Sequence, residues 1–172
     1  GAILTMIVQS SSATLGITIS LATIGVIDFP TAAALVLGEN IGTTITAYLA
    51  SIGGSVNARR ASYSHILFNV IGVMWITALF VPYIALIEQY ITWQTGAGPD
   101  ALGMVTKDGV ETEEYIHVTA AIAATHTGFN IMNVIIFLPL VGYMTKLLQR
   151  LVPEPEKGGV AHLKYFDVRL VD

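Results

Sequence analysis

The chain has 172 residues, of which 53% are hydrophobic and only 12% are charged, with a net charge of −4 and no cysteine. A typical soluble domain carries about 25% charged residues, and so apolar a composition excludes a disordered chain. The absence of a basic cluster excludes a nucleic-acid-binding protein, and the absence of cysteine excludes disulfides, thiol catalysis and cysteine-bound metals.

The first segment, residues 1–27, contains no Asp, Glu, Lys or Arg and is long enough to cross a membrane. A concentrated polar run, Gln9-Ser10-Ser11-Ser12-Ala13-Thr14, interrupts it. Irregular backbone at membrane depth persists only where protein buries it or where it lines an aqueous cavity. We therefore predict a re-entrant hairpin of two short helices that meet at this run. The alternative is one spanning helix whose serines mediate helix packing.

The second segment, residues 30–52, starts as a regular apolar helix and then reaches Gly38-Glu39-Asn40-Ile41-Gly42-Thr43-Thr44-Ile45-Thr46. The two glycines alone would fit a small-residue packing face, which leaves the carboxylate, the amide and the threonines unexplained. A carboxylate inside a membrane segment indicates a functional site. We therefore predict a broken helix whose freed backbone groups contribute to a binding site, as in secondary transporters.

The polar runs at 9–14 and 38–46 share one chemistry, since both are rich in hydroxyl and amide groups and poor in charge. A hydroxyl can donate to an oxyanion while its lone pairs face a hard cation, and free amides at a helix N-terminus attract anions. These runs predict a site for a small oxyanion together with a cation. The candidate residues are Gln9, Ser10, Ser11, Ser12, Thr14, Glu39, Asn40, Thr43 and Thr44.

Two further apolar stretches, near 61–87 and 115–148, are predicted membrane spans. Basic residues lie at 57–60 and 146–157, whereas the loop at 88–114 is acidic. Because loops rich in Lys and Arg stay inside, we predict that 57–60 and the C-terminus are cytoplasmic. The chain is then a multi-pass membrane protein.

The pattern H-x-x-F-N occurs twice, as His65-Ile66-Leu67-Phe68-Asn69 and as His126-Thr127-Gly128-Phe129-Asn130. In a helix the histidine and the asparagine fall on one face. The four side chains are interpreted as a proton relay or cation ligands, or as hydrogen bonds that lock two helices together, and the second interpretation is favoured. His65, Asn69, His126 and Asn130 are therefore placed behind the binding residues.

An enzyme is not expected, and no catalytic residues are assigned. The serines at 10–12 lack the sequence context of an intramembrane serine protease, and the histidines lack a recognised metal-ligand spacing. The alternative to a transporter is a channel subunit, selective for cations or anions, with a hydroxyl-lined filter.

The tail differs in composition from the rest of the chain. Residues 153–159 are typical of a linker and 162–172 are soluble in character. We therefore predict a membrane domain at 1–152 and a cytoplasmic segment at 153–172. The chain does not begin with Met, and we expect it to be part of a longer protein.

The polar motifs carry a resemblance. Gln9-Ser10-Ser11-Ser12, Gly38-Glu39-Asn40-Ile41-Gly42-Thr43-Thr44-Ile45-Thr46-Ala47 and Asn57-Ala58-Arg59-Arg60-Ala61, followed by His65-Ile66-Leu67-Phe68-Asn69, resemble the sodium/phosphate cotransporter family, the bacterial relatives of type II sodium-dependent phosphate cotransporters. That family has two inverted repeats, each with a QSSS hairpin and a broken helix. This chain has a single QSSS, so over about residues 1–150 it resembles one repeat plus its following helices. The resemblance implies an all-α, polytopic membrane protein, half of an inverted-repeat transporter, located in the cell membrane, the inner membrane of a bacterium.

The resemblance also implies the activity, sodium-coupled symport of inorganic phosphate, with sodium as the coupling ion and no other cofactor. It implies that Ser12 and Thr44 help line the site and that sodium is held through Gln9, Ser10, Ser11, Asn40 and Thr43. Glu39 departs from the family, which often has a small residue there. A missing second repeat, or a second copy of the chain, would complete the site. Residues 164–170 resemble the entry into a PhoU-like domain, with an ordinary polar C-terminus as the alternative.

Overall fold

The computed structural model describes residues 1–107 and 109–154. Its elements, in chain order, are α1 (Ala2–Val8), α2 (Ser11–Thr23), α3 (Phe29–Ser51), α4 (Val56–Ala78), α5 (Phe80–Thr95), β1 (Leu102–Lys107), β2 (Val110–Tyr115), α6 (Val118–Phe137), a 3₁₀ turn (Leu138–Leu140) and α7 (Val141–Leu151). Two helical stretches of the described residues, Val56–Ala78 and Val118–Leu151, are long and apolar enough to cross a membrane. The predicted linker and soluble tail, from residue 155 onward, lie outside the described residues.

The first segment consists of two short helices that meet at Gln9, where the sequence places its polar run. Gln9 has a left-handed backbone, with φ of 54°, and ends α1. Ser10 caps α2 by accepting a hydrogen bond from the Ala13 N–H at 3.3 Å. The hydroxyls of Thr5 and Thr14 hydrogen-bond at 3.0 Å and tie the two helices together.

The predicted break in the second segment is wrong, because α3 is one continuous helix from Phe29 to Ser51. The polar side chains hydrogen-bond to backbone carbonyls of the same helix instead of interrupting it. Asn40 Nδ2 donates to Val36 O at 3.1 Å, and Thr43 Oγ1 donates to Glu39 O at 2.9 Å. Such bonds to the preceding turn let polar residues persist in an intact helix.

The glycines of α3 serve close packing against α1. A Cβ on Gly42 would lie 2.5 Å from Thr5 Cβ, and one on Gly38 would lie 3.2 Å from Ala2 N. The small-residue interpretation of these two positions, which the sequence left open, is the one that the structure shows.

The predicted span at 61–87 is also wrong as a single helix, since α4 ends at Ala78 and α5 begins at Phe80. Pro82 explains the interruption. A proline clashes with the carbonyl four residues earlier when both lie in a helix interior, and that carbonyl belongs to Ala78. In the first turn of α5 the missing N–H of Pro82 costs nothing, because those amides have no intrahelical acceptor.

The predicted all-α class needs a local correction at the acidic loop, where β1 and β2 form an antiparallel hairpin. Leu102 pairs with Tyr115, and Lys107 pairs with Val110. Gly109 adopts φ of 81° in the turn, a conformation that glycine adopts without strain. The second strand is exposed at its first four residues and buried only at Glu114, so most of the hairpin lies at the surface.

Helix α3 is the central element of the fold and contacts α1, α2, α4 and α6. Its first half supplies apolar core residues, among them Phe29 and Val36, each 1% exposed. Ile122 and Phe129 of α6 are both fully buried in the same core. The second half of α3 carries the polar residues, so the apolar half holds the helix that presents the candidate site.

Candidate functional site

A cavity of about 340 Å³ lies among α2, α3, α4 and α6. It is lined mostly by polar side chains that the sequence analysis singled out. The lining residues are Ser11, Ser12, Leu15, Glu39, Asn40, Thr43, His65, Phe68, Asn69, His126 and Asn130. As far as the described residues form it, the wall thus contains hydroxyls, amides, imidazoles and one carboxylate, and no lysine or arginine.

The N-terminus of α2 forms one side of the cavity. Ser11 and Ser12 are the first two residues of this helix, and the first intrahelical bond runs from the Thr14 N–H to Ser10 O at 3.1 Å. Of the amides that precede Thr14, that of Ala13 donates to Ser10 Oγ, and those of Ser11 and Ser12 have no acceptor within the helix. The positive end of the helix dipole therefore lies beside two hydroxyls, an arrangement that favours an anion.

Helix α3 forms the opposite side through Glu39, Asn40 and Thr43. Glu39 is 4% exposed, and its Oε1 accepts a hydrogen bond from the Thr18 hydroxyl of α2 at 2.9 Å. Asn40 Oδ1 lies 3.2 Å from His126 Nε2, a hydrogen bond between α3 and α6. The side chains of α3 thereby link three of the helices that surround the cavity.

The two H-x-x-F-N patterns have the same local geometry. Asn69 Nδ2 donates to His65 O at 3.0 Å, and Asn130 Nδ2 donates to His126 O at 2.9 Å. All four side chains lie in the cavity wall itself, nearer to the site than the sequence analysis placed them. Only for His126 does the structure give the interhelical bond that the favoured interpretation expects, among the described residues.

Four of the predicted binding residues are not in the cavity wall. Gln9 is exposed at the turn, and Ser10 caps α2. Thr14 is fully buried and hydrogen-bonds to Thr5, while Thr44 donates to Ile41 O at 2.8 Å. In this structure Ser10 and Thr14 stabilise the hairpin, and Thr44 bonds within α3.

One polar residue of importance to the site escaped the sequence analysis. Asn133 is fully buried, accepts from Trp75 Nε1 at 3.1 Å and donates to Phe68 O at 3.1 Å. It fastens α4 to α6 behind the cavity, and Gly72 provides the space for it. The available signal was its position three residues after Asn130, on the same face of an otherwise apolar helix.

A larger cavity, about 540 Å³, lies between the end of α2, the β-hairpin and the start of α6. Its lining includes Ser20, Glu114 and Tyr115, and it contains none of the predicted binding residues. Volume alone therefore does not identify the site, whereas the convergence of polar groups from four helices does.

Known proteins similar to this chain were found at the level of family and of individual relatives. The family described as Na+/Pi-cotransporter matches residues 1–92. The uncharacterised protein YqeW of Bacillus subtilis (strain 168) is 32% identical over 153 residues, which are 89% of this chain and 42% of that protein. YjbB of Escherichia coli (strain K12), provisionally named an inorganic phosphate export protein, is 26% identical over 173 residues, 100% of this chain and 27% of that protein.

A human relative matches a shorter region. The sodium-dependent phosphate transport protein 2B of Homo sapiens is 45% identical over 78 residues, which are 43% of this chain and 11% of that protein. No solved structure shows a significant match. The chain spans less than half the length of these relatives. Since the family match covers more than half of the chain and includes both polar runs of the cavity, the chain belongs to the Na+/Pi-cotransporter family.

Proposed function

We propose that the chain forms part of a membrane transporter that moves inorganic phosphate by symport with sodium, and that the cavity among α2, α3, α4 and α6 is its binding site. The observation that carries this proposal is the convergence of Ser11, Ser12, Asn40 and Thr43 on one cavity at the N-terminus of a helix. The family membership and the names of the relatives support phosphate as the substrate.

The α2 side of the cavity suits phosphate. The unbonded amides at the start of α2 and the hydroxyls of Ser11 and Ser12 are hydrogen-bond donors that carry no full charge. They stabilise an oxyanion through directed dipoles. Because the wall has no lysine or arginine, no permanent cation would hold phosphate too firmly for release.

The α3 side suits sodium. The Thr43 hydroxyl donates to Glu39 O, so its lone pairs remain available to a cation. The Ser11 hydroxyl and the amide oxygen of Asn40 are further oxygen ligands in the cavity wall. A bound sodium ion offsets the charge of phosphate, which would otherwise be prohibitively costly to bring to membrane depth. This shared neutralisation is the physical basis of coupling.

Gln9, Ser10, Thr14 and Thr44 have an indirect part in the proposed site. Ser10 and Thr14 stabilise the hairpin and Thr44 bonds within α3, so they support the elements that carry the binding groups. Gln9 is exposed at the turn and would be available to ligands from the remainder of the site.

The proposed site is completed from outside these helices. The chain covers 42% or less of the relatives quoted above. We propose that a second repeat of the same protein, or a second copy of this chain, supplies the opposite half. The hairpin would then re-enter the membrane from one side, with 57–60 and the C-terminus in the cytoplasm.

The decisive experiment is uptake of radiolabelled phosphate into proteoliposomes that contain the intact protein, under an inward sodium gradient or an equal potassium gradient. Accumulation above equilibrium with sodium alone establishes symport. Uptake that only equilibrates, or that ignores sodium, would contradict the proposal and favour a channel. Reversing the sodium gradient determines the direction, since one relative is named for export.

A further inference from the structure

The carboxyl group of Glu39 is buried in the wall of the candidate site. The residue is 4% exposed and lines the cavity together with Asn40 and Thr43. Its Oε1 accepts one hydrogen bond, from the hydroxyl of Thr18 at 2.9 Å. Thr18 is itself 3% exposed, so the pair lies inside the protein rather than at a solvated rim.

This carboxylate is not in a side-chain ion pair among residues 1–107 and 109–154, where the salt bridge present joins Arg60 and Glu154. Among the residues that the structure describes, the cavity wall has no lysine or arginine that could pair with Glu39. A buried carboxylate with one neutral hydrogen-bond donor is far from fully compensated. A cation in the cavity would supply the compensating positive charge that the surrounding side chains lack.

The groups around the carboxylate suit an alkali cation. The Thr18 hydroxyl donates its hydrogen bond to the Glu39 carboxylate, and the Thr43 hydroxyl donates to the Glu39 backbone carbonyl at 2.9 Å. Both hydroxyls therefore turn lone pairs, not protons, toward any further neighbour. Carboxylate and hydroxyl oxygens are the ligands that hard cations prefer.

We propose that the Glu39 carboxylate, with the Thr43 hydroxyl beside it, binds one sodium ion of its own, in addition to the sodium that offsets phosphate. Thr18 is a positioning residue that holds the carboxylate toward the cavity. The inference rests on the proposed function, since it assigns one coupling ion of the same site. A sodium ion at the carboxylate would also allow phosphate to bind nearby. Without it, the negative charge of Glu39 in a cavity of about 340 Å³ would repel phosphate.

The test compares the wild-type protein with Glu39→Gln, which keeps the shape and the acceptor for Thr18 but removes the charge. Intact protein in proteoliposomes is supplied with radiolabelled sodium and phosphate, and the ratio of the two ions transported is measured with the charge moved per phosphate. We expect Glu39→Gln to transport one sodium ion and one positive charge fewer per phosphate. Glu88→Gln, which changes a half-buried carboxylate of α5 outside the cavity, is the matched control and keeps the wild-type ratio.

Thr18→Val gives an independent result if Glu39→Gln does not fold. It keeps the carboxylate and removes its hydrogen bond, so we expect several-fold weaker sodium activation with an unchanged ion ratio. An unchanged ratio in folded Glu39→Gln, or wild-type sodium affinity in Thr18→Val, would overturn the proposal. Absence of sodium-driven phosphate uptake in the wild type would instead contradict the proposed function, so the two failures are distinguishable.

Discussion

Thr43 is the residue at which the shared binding of phosphate and sodium is most directly tested. Its hydroxyl lines the cavity and its proton is engaged by Glu39 O. Thr43→Val keeps the shape and removes the oxygen, at a cost of about 1–1.5 kcal/mol for one polar contact. We expect the half-saturating concentrations of phosphate and sodium to rise together by about tenfold in transport assays.

The matched control for this change is Thr46→Val on the same helix. The Thr46 hydroxyl donates to Thr43 O at 2.8 Å and is not in the cavity wall. This variant should keep both affinities. If Thr43→Val weakened phosphate binding but left the sodium dependence unchanged, the two ions would not share that hydroxyl.

Asp28 makes the stability of the N-terminus of α3 dependent on pH. Its Oδ1 accepts the Thr31 N–H at 2.9 Å and caps α3, and hydrogen bonds from Thr31 hold the pKa of the carboxyl below its usual value of 3.8. A carboxyl whose pKa is lowered on folding stabilises the fold above its unfolded pKa, and this is lost as the pH falls through the folded pKa. The contribution is therefore complete at neutral pH and disappears below about pH 4.

We expect Asp28→Ala to lower the free energy of unfolding by about 1 kcal/mol at pH 7, as the loss of an N-cap does. Asp28→Asn keeps the acceptor and should retain most of the stability while losing its acid dependence. Thermal unfolding midpoints of the intact protein between pH 3 and pH 7 measure both effects. Equal acid dependence in wild type and Asp28→Asn would contradict the assignment.

At the scale of elements, the contact between α1 and α3 depends on Gly42. A Cβ at this position would lie 2.5 Å from Thr5 Cβ, so α1 must move for any side chain to fit. We expect Gly42→Ala to destabilise the protein by about 1–3 kcal/mol, as overpacking does, and to reduce transport. Gly16→Ala is the control, because a Cβ there meets nothing within 4 Å and should leave stability equal or raised.

The bond network of Asn133 is the corresponding link between α4 and α6. Asn133→Leu removes the acceptor of the Trp75 Nε1–H and the donor to Phe68 O. We expect a loss of about 1–3 kcal/mol, since one buried donor is left unpaired. A double-mutant cycle with Trp75→Phe should show coupling between the two residues, whereas a cycle with Trp93→Phe, 82% exposed, should be additive.

The sequence predicts which two segments contribute to the site better than it predicts the backbone conformation of those segments. The turn at Gln9 was expected because four polar residues in a row there suit a turn, and the structure has it. The intact course of α3 was not expected, because composition does not tell whether Asn40 and Thr43 bond to their own helix or replace it. Packing by α1 decides that question, and packing is a tertiary property.

The same limit applies to the other elements. The end of α4 and the β-hairpin were not predicted, although Pro82 and the turn signal Asp108-Gly109 stand in the sequence. The sequence predicts the chemical groups of the cavity wall, but not which of the candidate residues belong to it. Ser11, Asn40 and Thr43 belong to it, while Thr14 and Thr44 point into helix contacts, a difference of helix rotation that neighbouring positions in sequence do not reveal.

At the scale of the whole molecule, the exposed surface is unusually apolar. Large hydrophobic side chains are exposed on several helices, among them Ile3 at 75%, Val81 at 78% and Tyr143 at 74%. Scattered apolar residues are ordinary on soluble proteins, but exposure spread over α1, α5 and α7 suits contact with lipid or with another part of a membrane protein. This surface and the family membership support a location in a membrane.

The predicted orientation requires the basic loop at 57–60 and the end of α7 to lie on one side of the molecule. Arg60, at the start of α4, donates through Nε to Val152 O at 3.0 Å and pairs with Glu154 at 3.4 Å. The basic loop and the end of α7 therefore lie on one side of the molecule. The acidic hairpin contacts α2 and follows α5, so α4 and α5 lead away from that side and α6 and α7 return to it.

Cysteine labelling tests this orientation, because the chain has no cysteine of its own. We expect Ala58→Cys and Gln149→Cys to react with a membrane-impermeant maleimide only after cells are opened, and Glu111→Cys to react on intact cells. All three positions are exposed, so protection reports the membrane and not burial. Labelling of Ala58→Cys and Gln149→Cys from opposite sides would contradict the arrangement, since the contact of Arg60 with Val152 requires their ends to meet.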